Sequence, residues 1–335
     1  MDSRDRRVTV EACPGGCAFY LAWTVINRVD LIEMTQVATL FGGSGFVGRY
    51  IAGRLVARGW EVRLASRSPK QMRLSGAGSV TPVACNINDD VSVRAAMDGA
   101  NAVVNCVGTF DKSGENGFQA IQNLGAARIG RAAQELSVAR LVHLSAIGAD
   151  PNSPTLYGQS KGQGEQAILS AFPDAVILRP SVIFGPEDQF FNRFAAMTRI
   201  NPILPVVGAA TKFQCVYVDD VAAAVEKAVM GEAEPGIYEL GGPDVKSFGE
   251  LMQMMLDVLG RKRQIVNIPF PMAHLMAVGM EVGQTVTFGL LPPQITQDQV
   301  NSLKSDNVVG AGMMTLETLG ITPTPLADVL PGYLR

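Results

Sequence analysis

Phe41-Gly42-Gly43-Ser44-Gly45-Phe46-Val47-Gly48 decides the reading of this chain. An apolar run, residues 37–41, leads into it, and residues 49–59 follow with apolar positions at helical spacing and a glycine stop. Strand, glycine turn and helix in that order is the context that gives a glycine pattern meaning as a dinucleotide site. The spacing reads either as Gly43-x-Gly45-x-x-Gly48 or as Gly42-x-x-Gly45-x-x-Gly48. In both, glycine permits a tight turn, close approach of backbone to pyrophosphate, and close packing of helix on strand. The phosphates are expected on the free N–H groups at the helix start, where the dipole favours negative charge. The bland alternative is a plain strand–helix turn.

Working outward, residues 61–67 read as a second strand ending in Ser66-Arg67. A site for NAD places an Asp or Glu about here to bind the ribose 2′-hydroxyl. No carboxylate stands at this strand end, and Arg67 can pair with a 2′-phosphate as a planar fork, with Ser66 adding a hydroxyl. The expected cofactor is therefore NADP(H), with a solvated loop charge as the plainer reading of Arg67. Residues 80–86 read as a third strand, 90–99 as a helix, 102–108 as a fourth strand, 116–136 as a long helix and 141–146 as a fifth strand. Strands separated by helices in this way predict an α/β fold, a doubly wound parallel sheet of Rossmann type.

The residues that carry chemistry are Ser145 and then Tyr157-Gly158-Gln159-Ser160-Lys161. Tyr and Lys four apart share one helical face. A lysine ammonium there is expected to lower the tyrosine pKa towards neutrality and to hold the nicotinamide ribose. Ser145 at a strand's carboxyl end lies where such sheets collect ligands and is placed to orient a carbonyl.

Composition narrows the classes. The chain has 335 residues, enough for one large domain or two sharing a core, and its 47% hydrophobic content hints at extra buried contact. A net charge of −3 offers no basic field, so nucleic acid is not an expected partner. Cys13, Cys17, Cys85, Cys106 and Cys215 are odd in number and show no zinc-like pairing, so no metal site is expected and the thiols read as reduced. No stretch of eighteen uncharged apolar residues free of helix breakers occurs, which argues against a membrane span. Residues 1–33 read either as sequence upstream of a working start at Met34 or as a loose extension, and their acids argue against a transit peptide.

These motifs, in this order, resemble the extended and atypical short-chain dehydrogenase/reductases. Leu178-Arg179-Pro180-Ser181-Val182-Ile183-Phe184-Gly185-Pro186, Tyr217-Val218-Asp219-Asp220-Val221-Ala222 and Tyr238-Glu239-Leu240-Gly241-Gly242-Pro243 are similar to further blocks of that superfamily. Other words resemble the NAD(P)-binding accessory subunit of respiratory complex I, the alpha-subcomplex subunit 9 family. They are Gly45-Phe46-Val47-Gly48-Arg49-Tyr50, Phe172-Pro173-Asp174-Ala175, Ile183-Phe184-Gly185-Pro186-Glu187-Asp188-Gln189-Phe190-Phe191-Asn192, Pro269-Phe270-Pro271 and Leu319-Gly320-Ile321-Thr322-Pro323-Thr324-Pro325-Leu326. The similarity runs from about Met34 to near the C-terminus.

That resemblance implies a subunit that binds NADPH tightly and supports assembly near the quinone module, peripheral on the cytoplasmic face of a bacterial inner membrane or on the matrix side of a mitochondrial one. It implies Gly42, Gly45 and Gly48 at the phosphates, Arg67 at the 2′-phosphate, and Tyr157 and Lys161 at the ribose and nicotinamide. The full expected cofactor set is Gly42, Gly43, Ser44, Gly45, Phe46, Val47, Gly48, Ser66, Arg67, Asn86, Ile87, Cys106, Val107, Gly108, Tyr157, Lys161, Pro180, Ser181, Val182 and Ile183. Asn86 departs from the superfamily, whose members commonly have Asp near the adenine. With Ser145, Tyr157 and Lys161 all present, a free NADPH-dependent reductase or sugar-nucleotide epimerase stands as the alternative.

The expected organisation is a nucleotide domain over 34–243 and a smaller C-terminal lobe from 187–212 and 244–335. Within that lobe a helix starts at Pro271, and Met272, Ala273, Leu275, Met276, Ala277, Val278 and Met280 cover nearly every side of it. Two readings stay open: burial inside a cap, or a docking surface for another subunit or a lipid headgroup layer through 268–291. Residues 288–293 look like a turn out of that patch. His143 reads as a packed strand residue, Asp219-Asp220 as a helix cap, and Lys161 with Glu165 as a plain i,i+4 pair. Asp111, Lys112 and Glu115 form a polar loop with no assigned role.

Overall fold

Val37–Phe41 forms β1 and is buried on both faces, as the middle of a parallel sheet requires. Its one polar side chain, Thr39, donates its hydroxyl to Ala96 O at 2.8 Å, so burial leaves no unpaired group. The computed structural model describes residues 35–69, 71–112, 114–286 and 296–335, with backbone only for 281–286. The expectations for residues 1–33 and the turn at 288–293 lie outside the described residues.

After β1 come α1 (Phe46–Ala57), β2 (Glu61–Ser66), β3 (Ser79–Ala84), α2 (Asp90–Met97) and β4 (Ala102–Asn105). A π-helical turn (Gln119–Gly125) then runs into α3 (Ala126–Glu135), followed by β5 (Arg140–Leu144), α4 (Leu156–Ala171) and β6 (Val176–Pro180). The remainder carries β7 (Ile183–Phe184), α5 (Phe191–Met197), β8 (Ile203–Val207), β9 (Lys212–Phe213), β10 (Val216–Tyr217), α6 (Val218–Val229) and β11 (Gly236–Leu240). Last are β12 (Lys246–Ser247), α7 (Phe248–Val258), β13 (Gln264–Ile268), α8 (Phe270–Val286), α9 (Gln297–Ser302) and α10 (Leu326–Tyr333).

Seven strands pair in the order β11-β6-β5-β4-β1-β2-β3, every pair parallel. The chain steps outward from β1 to β3 and then returns to β4 beside β1. That reversal is the topological switch point, and ligands of such sheets bind outside the strand ends there. Ile51, Leu55, Val221 and Val225 from α1 and α6 cover one face. Val93, Met97, Ile129 and Ile168 from α2, α3 and α4 cover the other. A third core gathers Phe184, Phe191, Leu204, Phe213, Phe248, Leu251, Met252 and Leu330. There β8 pairs with β13, so chain from before and after residue 243 shares one packed centre.

Several expectations are corrected. The fourth strand stops at Asn105 because its side chain turns back to accept Val107 N at 3.2 Å and contacts His143 Nδ1 at 3.1 Å. The single helix over 116–136 opens instead with the π-helical turn. Asp219 and Asp220 do not cap α6, whose N-cap is Tyr217 without a side-chain bond. Asp219 takes Arg54 of α1 in a fork at 2.9 and 2.7 Å, and Asp220 accepts the amide and hydroxyl of Thr324 at 2.7 and 2.9 Å. Glu165 does not serve Lys161 as a simple pair. It is buried and holds Arg179 bidentately at 2.8 and 2.6 Å, with Glu239 on the same guanidinium at 3.5 Å.

Of the two open readings of α8, full burial inside the lobe does not match its exposures. Ala273 and Ala277 pack inward, while Met272, Met276 and Val278 are exposed and Leu275 is 74% exposed. The small residues let one side of the helix approach closely and leave the large apolar ones facing outward.

Candidate dinucleotide site

The glycine turn sits at the switch point. Gly42 adopts φ +78°, and a Cβ there would lie 3.0 Å from the backbone of Cys106 at the exit of β4. Gly48 has ordinary φ, yet a Cβ on it would lie 2.5 Å from Gly42 O and Gly43 Cα, so α1 rests directly on the turn. Gly45 is the N-cap of α1, its own amide bonded to Gly42 O at 3.0 Å, with no side-chain cap and no acid in the first turn. The helix therefore offers uncapped amides at its positive end, which suits an anion. Both spacings share Gly45 and Gly48; Gly42 is required by its positive φ and the backbone of Cys106, and a Cβ on Gly43 would meet Leu64 at 2.5 Å and Leu40 O at 3.2 Å.

At the adenine end, Ser66 closes β2 and its Oγ is buried without a hydrogen-bond partner among the described residues. A buried orphan hydroxyl facing a strand end marks a place where a polar ligand atom fits. Arg67 is exposed and its Nη1 donates to Asn116 Oδ1, a contact made across the sheet edge from the loop that follows β4. Asn88 Nδ2 donates to Glu115 O at 2.7 Å and fixes the same loop. Asn86 is committed to its own turn, its Oδ1 accepting Asn88 N at 3.1 Å and its amide donating to Ser92 Oγ at 3.0 Å. Ile87 is buried beside Gly125. Sequence reading missed Asn116; nothing local distinguishes it, because its partner is 49 residues away.

At the other end, Cys106 donates its thiol to Phe41 O at 2.9 Å, and burial pushes that thiol up to about 12. Val107 and Gly108 continue the exit loop. Ser145 is buried just past β5, and its Oγ also has no partner among the described residues. Thr155 caps α4, and the helix brings Tyr157 and Lys161 to one face. Lys161 is buried, its Nζ donating to Leu144 O at 3.1 Å, and burial lowers it to about 8 despite the charge of Glu165.

The expected lowering of Tyr157 does not occur. Burial pushes it up to about 12, under Phe110, stacked at 5.7 Å, and Phe118, edge-on at 5.9 Å. A phenol held there is a hydrogen-bond donor rather than a base at neutral pH. His143 is buried and lowered by burial to about 3, a neutral strand residue as expected.

Pro180 ends β6, and the residues after it are bound to the lobe. Ser181 Oγ donates to Asn307, at 2.7 Å to Oδ1 and 3.0 Å to O, while Val182 and Ile183 engage β10. The cradle that side chains would fill, the uncapped helix start and the two orphan hydroxyls together fit an extended dinucleotide. The turn would hold its phosphates, Ser66 and Arg67 the adenosine ribose, and Ser145, Tyr157 and Lys161 the nicotinamide half. When bound, such a dinucleotide carries hydride-transfer chemistry in its nicotinamide ring.

Comparisons with known proteins agree with this geometry. A family model described as NAD(P)H-binding matches residues 42–185. The chain is 35% identical over 301 residues to the mitochondrial NADH dehydrogenase [ubiquinone] 1 alpha subcomplex subunit 9 of Arabidopsis thaliana, covering 87% of this chain and 75% of that one. The subunit of the same name from Mus musculus is 32% identical, covering 87% and 77%. Among solved structures, MoeE5 in complex with UDP-glucose and NAD superposes with a TM-score of 0.67 at 16% identity, covering 89% and 97%, a likeness of fold. With a glycine cradle at the switch point and more than 30% identity along most of both chains, this protein belongs to the NADH dehydrogenase [ubiquinone] 1 alpha subcomplex subunit 9 family.

Proposed function

We propose that this chain is an accessory subunit of a proton-pumping NADH:quinone oxidoreductase that binds NADPH as a fixed structural ligand. The observation that carries the reading is the extent of its similarity to subunits of that enzyme, 87% of the chain at 35% identity. NADPH is preferred over NADH because Arg67 stands at the end of β2, where an NAD site has a carboxylate. A ligand bound only by the folded state stabilises it by roughly 3–4 kcal/mol at a hundred to a thousand times its dissociation constant. In this reading Tyr157 and Lys161, on one face of α4, hold the ribose of the fixed nucleotide.

The subunit works beside the quinone module, at the cytoplasmic face of a bacterial inner membrane or the matrix face of a mitochondrial one. No helix among the described residues is long and apolar enough to cross a membrane. The outward face of α8, Met272, Leu275, Met276 and Val278, is the surface we assign to the neighbouring subunit or lipid. The orphan Ser145 hydroxyl favours, as a second reading, a free NADPH-dependent reductase.

Native electrophoresis of detergent-solubilised membranes tests the assignment: the chain should migrate with NADH-oxidising activity, and a wholly soluble pool supports the reductase instead. Arg67→Asp tests the cofactor. It should remove the thermal stabilisation given by NADPH and leave that given by NADH, and equal loss of both contradicts the 2′-phosphate assignment.

A further inference from the structure

The helix that carries Tyr157 and Lys161 is capped twice. Thr155 Oγ1 accepts Gly158 N at 3.1 Å within the local turn. The second cap comes from far along the chain: Asp298 Oδ1 accepts Leu156 N at 2.7 Å and Oδ2 accepts Tyr157 N at 3.1 Å. One carboxylate thus takes the first two amides of α4 and sets its charge at the positive end of the helix.

Asp298 lies in the first turn of α9, which a capping box between Thr296 and Gln299 fixes at its start. Val300, two residues on, is fully buried against Ala273 and Ala277 of α8 and Val207 of β8. The other side of α8 is the exposed apolar face. An unbroken line of contact therefore runs from that face through Val300 and Asp298 to the amide of Tyr157. Other polar ties between lobe and sheet, among them Ser181 with Asn307, Asp220 with Thr324 and Glu239 with Gly310, land away from the first two amides of α4, which Asp298 takes.

We propose that Asp298 is a positioning residue that couples the dinucleotide site to α8 and α9. A nucleotide held by Tyr157 and Lys161 orders the first turn of α4; the ordered turn presents its two amides to Asp298; Asp298 seats α9 and hence α8. By linkage, whatever engages α8 tightens the nucleotide site by the same factor, typically fivefold or more. The inference rests on the nucleotide reading above and gives a bound, unreacting NADPH a task in assembly.

Hydrogen exchange on the full chain, with NADPH as the probe, tests it. In the wild type, NADPH should slow exchange at 42–48 and also, at least about threefold, at 270–286 and 296–302. Asp298→Ala should abolish the distant slowing and keep that at 42–48, while Asp298→Asn, with one acceptor left, should restore part of it. Thr155→Ala removes the other cap of α4 without touching the lobe, and the distant response should survive it. A distant response that persists in Asp298→Ala, or is lost equally in Thr155→Ala, overturns the coupling. Slowing at 42–48 with none at 270–302 in the wild type overturns the coupling alone; none at 42–48 overturns the nucleotide reading and the coupling with it.

Discussion

The nucleotide half and the lobe are specified by different means. In the first, β1 and β4 are buried on both faces and a continuous parallel ladder sets the register. Around the third core, among the described residues, only β8 and β13 form a ladder of length, five residues each, while β7, β9, β10 and β12 are two residues long and fix little register of their own. Isolated polar groups, buried or half-buried, do that work. Asp188 accepts Gly185 N at 3.2 Å, Phe190 N at 2.9 Å, Asn192 N at 3.2 Å and Tyr333 Oη at 2.5 Å, tying a loop to the last helix. Asn307 bonds Ser181 and carries backbone bonds to Lys212 and Gln214. A pattern spread over many residues tolerates single changes; a single anchor does not.

The largest expected effect breaks the first half at the glycine turn, where single changes are not tolerated. Gly48→Val would drive a side chain into the backbone of the turn, which cannot yield as a side chain can. We expect a loss of about 3 kcal/mol or more, roughly 6–12 °C in thermal midpoint, together with loss of NADPH binding. A midpoint within about 2 °C of wild type would show that the turn is softer than its contacts indicate.

Asp188→Ala is the corresponding test of the lobe. Three amides and a phenol lose one shared acceptor, at a cost of about 3 kcal/mol. Hydrogen exchange should quicken at 185–194 and 326–334 and stay unchanged across β1 and β4. Quickening in β1 would abolish the distinction between the two regions.

Lys161 sharpens the comparison through pH. Its folded pKa, about 8, lies below the ordinary 10.5, so between those values the unfolded chain binds more protons and stability rises with pH. The wild type minus Lys161→Met difference, which cancels the other titrating groups, should rise through that window by up to about 3 kcal/mol in denaturant titrations without nucleotide. A flat difference means that the ammonium is already solvated. The smallest effect belongs to Leu275→Ser, which should leave stability within about 0.5 kcal/mol while lowering retention in the membrane fraction. An unaltered membrane-bound fraction would argue that α8 does not dock.

The same contrast explains what was legible. The glycine turn, the alternation of strands with helices and the Tyr157–Lys161 face follow from local spacing, and residues a few positions apart announced them. Asn116, Asp298 and Asn307 act on partners 49, 141 and 126 residues away, so no window of sequence contains both halves of the interaction. The pKa of Tyr157 was misjudged for a related reason. Spacing places a lysine one turn away, but burial raises the phenol, and the rings of Phe110 and Phe118 that pack on it come from another segment. The aspartates at 219 and 220 sit where caps belong, and only the approach of Arg54 and Thr324 redirects them.

Met314 bridges Tyr238 of β11 in parallel, and Glu239 receives Gly310 N at 2.8 Å while its own amide donates to Met314 O. The tail thereby becomes a rung on the border of the large sheet. A recombinant fragment ended near residue 243 to isolate a minimal nucleotide binder would uncover that border, leaving β11 an unprotected edge open to strand-to-strand aggregation.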